Sequence, residues 1–147
     1  MEVNSDFRDL LRELNDENAR YLVVGGMALA FHARPRFTRD LDIWVEASAS
    51  NAQKVHKALA AFGAPLDNLA VHELEQPDLV FQIGIEPIRV DILTSITGVD
   101  FDEAWPQREA ANYGDAAVFV IGRNHLIKNK RATGRLQDLA DLEQLES

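Results

Sequence analysis

The sequence contains no cysteine, and this absence excludes several kinds of chemistry. Disulfides, thiolate catalysis and cysteine-ligated zinc all require that residue. Long apolar runs are missing as well. None approaches the roughly 20 residues that span a bilayer, and the start MEVNSDFRDL lacks the apolar region of a signal peptide. We therefore expect a cytoplasmic protein that makes no membrane contact.

Basic residues are scarce relative to acidic ones. Lys and Arg number 15 against 24 Asp and Glu, which gives a formal net charge of −9. Proteins that bind nucleic acid mainly through its phosphates carry a surplus of basic side chains. Broad nucleic-acid binding is therefore disfavoured, whereas a local basic groove is not.

The chain has the composition of a globular protein with a real core: its 147 residues are 46% hydrophobic and 27% charged. No repeat, low-complexity segment or linker divides it, so we expect one domain over residues 1–147. Apolar periodicity and turn residues predict helices over 4–18 (with Ser5 as the N-cap), 27–32, 50–62, 101–108 and a C-terminal pair within 123–146.

Short β-prone apolar runs predict the strands, at 21–24, 41–45, 79–85, 88–93 and 117–121. The third and fourth runs suggest an antiparallel hairpin, and the last is expected at a sheet edge. This order of elements predicts an α/β (α+β) fold, a mixed β-sheet of about five strands flanked by helices.

Asp40-Leu41-Asp42 is the most informative tripeptide. Alternate side chains of a strand point to one face, so both carboxylates project together while Leu41 enters the core. Two like charges held that close raise each other's pKa and are costly unless a cation lies between them. Mg²⁺ suits this position because it binds one or two carboxylates together with phosphate oxygens. The alternative is a solvated acidic pair on an exposed strand.

Two segments near the aspartates favour a phosphate ligand. Gly25-Gly26 lies between a strand and a helix, where glycine allows close approach and the helix N-terminus attracts an anion. Arg36 and Arg39 precede the aspartates and are candidates to offset their charge or to hold phosphate. A tight turn and a solvated basic segment are the alternative interpretations.

Asp91 is a single carboxylate in the apolar strand RVDIL. A charge among buried neighbours needs a partner. That partner is either a structural arginine or, if this strand lies beside residues 41–45, the same metal ion.

Together these motifs resemble the DNA polymerase beta-like nucleotidyltransferase superfamily. The resemblance rests on the strand and turn LVVGG at 22–26, on RFTRDLDI at 36–43 and on VDI at 90–92. The sequence is most similar to small bacterial members, relatives of the minimal nucleotidyltransferases found in toxin–antitoxin pairs. The tail NKRATGRLQDLADL at 129–142 is similar to the C-terminal helices of that group, so the resemblance covers nearly the whole chain.

The resemblance implies a nucleotidyltransferase fold, a Mg²⁺ (or Mn²⁺) cofactor and a nucleoside triphosphate substrate such as ATP. It implies that Asp40, Asp42 and Asp91 are catalytic and bind the metal, with Asp91 also a candidate general base. The residues assigned to the nucleotide and its phosphates are Gly25, Gly26, Arg36, Thr38, Arg39, Lys130 and Arg135.

The chain departs from its relatives at Gln137, where they often carry a basic residue. Lys130 and Arg135 remain candidates for phosphate binding, and Asp138 is placed to orient one of them through an ion pair. Both cations are equally compatible with ordinary solvated helix positions.

The implied activity is transfer of a nucleoside monophosphate to a hydroxyl of a protein, a tRNA end or a small molecule such as an aminoglycoside. A toxin–antitoxin partner is also implied, and the apolar stripe of residues 136, 139, 142 and 145 is either helix packing or a homodimer surface. The competing interpretation is a non-catalytic, antitoxin-like binding protein that keeps the fold.

Overall fold

The computed structural model describes residues 3–33, 38–84 and 88–146. Six α-helices lie in these ranges: α1 Ser5–Asp16, α2 Gly25–His32, α3 Ala49–Phe62, α4 Phe101–Ala104, α5 Arg123–Thr133 and α6 Leu136–Glu146. Two short 3₁₀ turns, Val71–Glu75 and Trp105–Gln107, complete the helical structure of this part of the chain.

One mixed sheet contains the six strands of the described ranges: β1 Tyr21–Val24, β2 Asp40–Val45, β3 Val80–Ile83, β4 Arg89–Leu93, β5 Glu109–Tyr113 and β6 Ala116–Val120. Their spatial order is β3-β4-β2-β1-β6-β5. β1 runs antiparallel to β2 and parallel to β6, whereas β2 and β4 are parallel. The predicted hairpin of β3 and β4 is present.

The sheet has six strands where the sequence predicts about five. The additional strand is β5, whose residues do not indicate a strand. Its residues EAANY include two alanines and an asparagine, which have low β-propensity. Most of its side chains are exposed, so its strand character comes from backbone pairing with β6. β5 is therefore one of the two edge strands, with β3 at the other edge, and the run predicted at the edge, 117–121, forms the internal strand β6.

Strand directions bring the motifs to one end of the sheet. Val24, the last residue of β1, is the Cα partner of Asp42, which in turn is the partner of Asp91 on β4. The end of β1 and the starts of β2 and β4 therefore meet. Residues separated by up to 67 positions, from Val24 to Asp91, become neighbours through backbone pairing alone.

The core holds this arrangement rigidly. Leu41 and Ile43 of β2 are completely buried, as the alternation of the strand predicts. α1 packs against α3 and β6, whereas α2 packs against β1 and β2 and also contacts α5 and α6. Within the described residues, no helix is both long and apolar enough to cross a lipid bilayer.

Aromatic rings connect β2 to the segment that follows β4. Trp44 meets Phe101 edge-on with ring centroids 5.1 Å apart, and Phe101 stacks on Trp105 at 5.6 Å. The guanidinium of Arg108 lies 3.9 Å from the centroid of Trp105. Such contacts add specific attraction to the burial of apolar area, and they fix the 101–108 segment against the sheet.

The C-terminal helix buries only part of its apolar stripe. Leu145 is buried, while Leu136 and Leu139 are 87% and 51% exposed. The carboxylates of Asp138 and Asp141 occupy buried positions instead. α6 therefore packs on α5 largely through charged groups.

The N-cap of the first helix is Asn4, one residue before the predicted cap, and the helix covers Ser5–Asp16 within the predicted range 4–18. The Asn4 side-chain oxygen accepts hydrogen bonds from the backbone N–H groups of Asp6 and Phe7, at 2.9 and 3.1 Å. Ser5, predicted to be the N-cap, is the first residue of the helix and is exposed. Asparagine and serine are comparably good caps, so composition alone did not separate them.

Replacing Asn4 with Ala is expected to lower the free energy of unfolding by about 1 kcal/mol, because two backbone donors lose their acceptor. Ser5→Ala, the matched control, should change it by less than about 0.5 kcal/mol. Urea denaturation of both variants measures the difference. Equal losses from the two substitutions would contradict Asn4 as the cap.

Candidate active site

Three aspartates lie together where β1 ends and β2 and β4 begin. Asp42 and Asp91 are direct Cα partners in the parallel pair, and Asp40 is the partner of Arg89. Because alternate residues share a face, Asp40, Asp42 and Asp91 project on the same side of the sheet. The condition set by the sequence, that the strand of Asp91 lie beside β2, is met.

Position 25 must be glycine because its backbone lies in close contact with the Asp42 side chain. Its φ of +67° lies in the left-handed region, and a Cβ atom built there would overlap Asp42 Oδ2. It would also lie 3.1 Å from Cγ and 3.3 Å from Cβ of Asp42, so rotation of the carboxylate alone would not relieve the contact. The N-terminus of α2, which has no side-chain cap hydrogen bond, thus abuts this carboxylate.

Arg89 supplies positive charge within the site. Its Nε lies 3.2 Å from Asp91 Oδ1 and its Nη2 lies 3.8 Å from Asp40 Oδ2. The Nε–Oδ1 contact lacks hydrogen-bond alignment and is best described as an ion pair. Sequence reasoning did not assign Arg89 to the site, although its position two residues before Asp91 on the same strand face was a signal for it.

Two of the three aspartates, Asp42 and Asp91, have raised pKa values. Burial raises the pKa of Asp42 to about 6, and the charges of Asp91 and Asp40 add to the rise, while Arg89 opposes it. Burial also raises the pKa of Asp91, with Arg89 acting against it. A contact between the two carboxyl groups raises the pKa of Asp42 and lowers that of Asp91, so this contact favours a shared proton on Asp42.

The donor set fits a hard divalent cation. Among the described residues, Asp40 Oδ1 and Asp91 Oδ1 are buried oxygens that accept no hydrogen bond. As the side chains stand, no three His, Cys, Asp or Glu residues of the described ranges are grouped so that they could hold a metal ion. Mg²⁺ nevertheless needs only one or two protein carboxylates when phosphate and water supply its other ligands, and oxygen ligands are those it prefers.

The segment before the aspartates is described only in part. Arg36 lies outside the described residues. Thr38 is half-buried and Arg39 is exposed. The carbonyl of Arg39 accepts a hydrogen bond from the backbone N–H of Arg89 at 3.1 Å, which extends the pairing of β2 and β4 toward this segment.

Lys130 and Arg135, the two cations assigned to phosphate, have different surroundings. The Lys130 ammonium is buried between Asp141 and Asp138, at 2.9 and 3.5 Å. The Arg135 guanidinium is exposed and donates to both carboxylate oxygens of Asp138, at 2.8 and 3.2 Å. These hydrogen bonds are the main cause of its raised pKa, to which the charge of Asp42 also contributes. Arg135 directly precedes α6, and α6 contacts α2, the helix whose N-terminus lies against Asp42.

A large open cavity lies elsewhere. Its volume is about 680 Å³, and it is lined by Trp44, Glu46 and residues between 94 and 103. These residues lie toward the C-terminal ends of β2 and β4, whereas the aspartates lie near the starts of those strands. The aspartates thus occupy the end of the sheet, beside the N-terminus of α2.

Comparison with known proteins finds similarity at the level of the fold. No protein-family model matches the sequence, and no curated protein sequence matches it. Among solved structures, the chain is similar to the lincosamide antibiotic adenylyltransferase LnuA in its lincomycin-bound form, with a TM-score of 0.62 and 17% identity. That alignment covers 100% of this chain and 99% of LnuA.

A second similar structure is a Thermotoga maritima protein assigned as a nucleotidyltransferase, with a TM-score of 0.62 and 14% identity. The alignment covers 97% of this chain and 93% of that one. At these identities the likeness establishes the fold. The predicted fold class, a mixed sheet flanked by helices with a C-terminal helical pair, is confirmed.

Gly25→Ala is expected to lower the free energy of unfolding by more than Gly63→Ala. Both positions have positive φ, +67° and +95°, and alanine there costs about 1–2 kcal/mol. A Cβ at Gly63 meets nothing within 4 Å, whereas at Gly25 it displaces Asp42. Chemical denaturation of the two variants isolates the contact. Equal losses of stability would show that Asp42 is not held against Gly25.

Asp42 should make the stability of the metal-free protein fall as pH rises from about 4 to about 6. Its pKa is 3.8 when unperturbed and about 6 in the folded state, so the folded state binds the proton more tightly and loses this advantage as the proton leaves. Above pH 6 the penalty is constant, of the order of 1–3 kcal/mol. Asp42→Asn should therefore stabilise the protein at pH 7.5 and have little effect at pH 4.

The measurement is urea denaturation across this pH range with a chelator present, and exposed Asp67→Asn is the control. A difference between Asp42→Asn and the unaltered protein that does not change with pH would contradict the assignment.

Proposed function

We propose that this protein is a metal-dependent nucleotidyltransferase that transfers a nucleoside monophosphate from a nucleoside triphosphate to a hydroxyl group. The observation that carries the proposal is the in-register pair of Asp42 and Asp91, with the N-terminus of α2 packed against Asp42. Carboxylates for a metal and backbone donors for phosphate meet there in one place. The fold shared with an adenylyltransferase supports it.

The phosphate side of the proposed site is formed by backbone groups and one exposed guanidinium. Gly25 and Gly26 open α2, whose first N–H groups have no partner within the helix. They would donate to the triphosphate, aided by the helix dipole. Arg135 would bind the outer phosphates, and Thr38, Arg36 and Arg39 are retained as predicted contacts from the segment before β2.

Asp40, Asp42 and Asp91 would hold Mg²⁺ or Mn²⁺. Such an ion supplies charge neutralisation for the triphosphate and lowers the pKa of a bound hydroxyl. Binding would also relieve the mutual repulsion that raises the pKa of Asp42. The oxygens of Asp40 and Asp91 that accept no hydrogen bond are the atoms best placed to become ligands.

In the transfer step, the acceptor oxygen attacks the α-phosphorus and forms the new P–O bond. The bond to the β-phosphate bridging oxygen breaks, and pyrophosphate leaves. Asp91 is the proposed base that takes the proton of the acceptor hydroxyl, because burial raises its pKa and so makes it a better base. The rest of the protein contributes positioning and charge neutralisation.

A small molecule or a protein is favoured as the acceptor over a tRNA end. The basic stretch from Arg123 to Arg135 would be the tRNA contact, but each of its cations already has a partner. Those partners are the carbonyl of His32 for Arg123, Glu103 for Lys128, Asp138 and Asp141 for Lys130, Glu146 for Arg131 and Asp138 for Arg135. These pairs reduce the net positive charge of the stretch 123–135, and the net charge of −9 for the whole chain further disfavours the binding of RNA phosphates.

The fold neighbour LnuA carries lincomycin on a chain that this one matches over its whole length. This makes hydroxyl-bearing small molecules the first acceptors to test. Association with a toxin–antitoxin partner and formation of a homodimer stay predictions from the sequence, as does the non-catalytic alternative.

Asp42→Ala is expected to abolish metal-dependent nucleotide transfer while leaving the fold intact, because it removes the carboxylate that contacts both α2 and Asp91. Pyrophosphate release from each nucleoside triphosphate is measured with Mg²⁺ or Mn²⁺ and with panels of lincosamides, aminoglycosides, proteins and tRNA. We expect a loss of at least about 100-fold, the size of a removed electrostatic contact in a catalytic site.

Exposed Asp67→Ala is the matched control and should retain full activity, and circular dichroism reports folding. Transfer that survives Asp42→Ala would refute the assignment. Failure of the unaltered protein to bind any nucleoside triphosphate with either metal would favour the non-catalytic alternative.

A further inference from the structure

We propose that Lys130 is a positioning residue: through the buried carboxylates of Asp138 and Asp141 it holds α6 in the one orientation that presents the Arg135 guanidinium to the site. The inference rests on the proposed function, in which Arg135 binds the triphosphate. It also replaces the role that the sequence suggested for Lys130, direct contact with phosphate.

The surroundings of Lys130 argue for an indirect role. Only 7% of its side chain is exposed, and its ammonium lies 2.9 Å from Asp141 Oδ2 and 3.5 Å from Asp138 Oδ1. An ammonium between two carboxylates is already more than neutralised. It has little capacity to attract a further anion and little surface on which to meet one.

Arg135 has the opposite character. Its side chain is 72% exposed, and a long exposed arginine would normally sample many rotamers, at a cost when a ligand fixes it. Here the guanidinium is held by two hydrogen bonds to one carboxylate, that of Asp138, which is 1% exposed. A bidentate pair fixes both the position and the plane of the guanidinium.

Asp138 connects Lys130 to Arg135, because its carboxylate contacts both cations. Its Oδ2 also accepts hydrogen bonds from the backbone N–H of Arg135, at 3.1 Å, and from the hydroxyl of Thr133, at 2.7 Å. Its pKa is held far below the usual range, chiefly by the hydrogen bond from Arg135. The carboxylate is therefore charged at all ordinary pH values and must be neutralised where it is buried.

Lys130 neutralises it from α5, and it does so for both carboxylates of α6 at once. Asp141 Oδ1 also accepts a hydrogen bond from the side-chain amide of Gln137, at 2.8 Å. Without the ammonium, two buried like charges one helical turn apart would repel and draw in water. α6 would then rotate or shift on α5, and Arg135, which is anchored to Asp138, would move with it.

A double-mutant cycle on nucleotide binding tests this route of action. Arg135→Ala should weaken the binding of a fluorescent ATP analogue, measured with Mg²⁺, by about 10- to 100-fold, the worth of a charge-assisted contact. Lys130→Met should weaken it severalfold in the unaltered background. In the Arg135→Ala background it should have no further effect, because Lys130 acts only through Arg135.

Arg131→Met is the matched control. Arg131 is the next residue of α5 and also pairs with a carboxylate of α6, Glu146, but it does not touch Asp138. Its loss removes one cation and one inter-helix ion pair, and it should leave nucleotide affinity unchanged. If Lys130→Met prevents folding, Lys130→Gln keeps a hydrogen-bond donor without the charge and should produce the same non-additivity with Arg135→Ala at smaller amplitude.

A second measurement needs no nucleotide. The side-chain Nε–H signal of Arg135 in the NMR spectrum should be sharp and slow to exchange in the unaltered protein and in Arg131→Met. It should broaden or exchange rapidly in Lys130→Met or Lys130→Gln. This readout separates the two proposals, since a protein that orders Arg135 through Lys130 yet binds no nucleotide refutes only the proposed function.

Three results would overturn the inference. Additive losses in the cycle would mean that Lys130 contacts phosphate itself. A fall in melting temperature with unchanged nucleotide affinity would mean that Lys130 only stabilises the helix pair. An Arg135 signal that is unaffected by Lys130→Met and Lys130→Gln would mean that Lys130 does not hold the Arg135 guanidinium in place.

Discussion

The parallel pairing of β2 with β4 is the constraint on which the rest of the site depends. It places Asp42 directly opposite Asp91, and no adjustment of side chains could bring these groups together if the register were shifted by one residue. A one-residue slip would turn Asp91 to the other face of the sheet. Buried neighbours such as Val90 and Ile92 prevent that slip because they would then lose their places in the core.

The molecule contains two clusters of carboxylates with opposite surroundings. Between α5 and α6, Asp138 and Asp141 are saturated with donors, and the pKa of Asp138 is held low by Arg135. At the end of the sheet, three aspartates share Arg89, some of their oxygens accept no hydrogen bond, and the pKa of Asp42 is raised by burial. Carboxylates whose oxygens all have hydrogen-bond donors stabilise a structure. Buried carboxylate oxygens without donors mark places where a ligand can supply the missing partner.

Much of the fold and the centre of the site could be predicted from local pattern. The strand alternation of Asp40, Leu41 and Asp42 and the glycine turn at Gly25 are properties of a few adjacent residues. Other features depend on contacts that one sequence does not specify. β5 exists because β6 offers it backbone partners, and its own residues favour no strand.

The burial of Lys130 has the same kind of cause. A lysine in the sequence KNKRATGR resembles a solvated helix residue or a phosphate contact. Nothing in the local sequence indicates that it is instead a buried partner of two carboxylates. Its partners Asp138 and Asp141 lie 8 and 11 positions further along the chain, and only the turn at Gly134 brings them back onto it. Arg89 differs, because alternation with Asp91 was visible in the sequence.

The aromatic contacts beside β2 have a practical consequence. The chain has two tryptophans, and both belong to one group of rings joined through Phe101. Trp44 also stands two residues beyond Asp42 on the same strand. The tryptophan emission of the protein therefore originates in one group of rings packed on β2, and it reports without any added label on changes in the strand that carries Asp40 and Asp42.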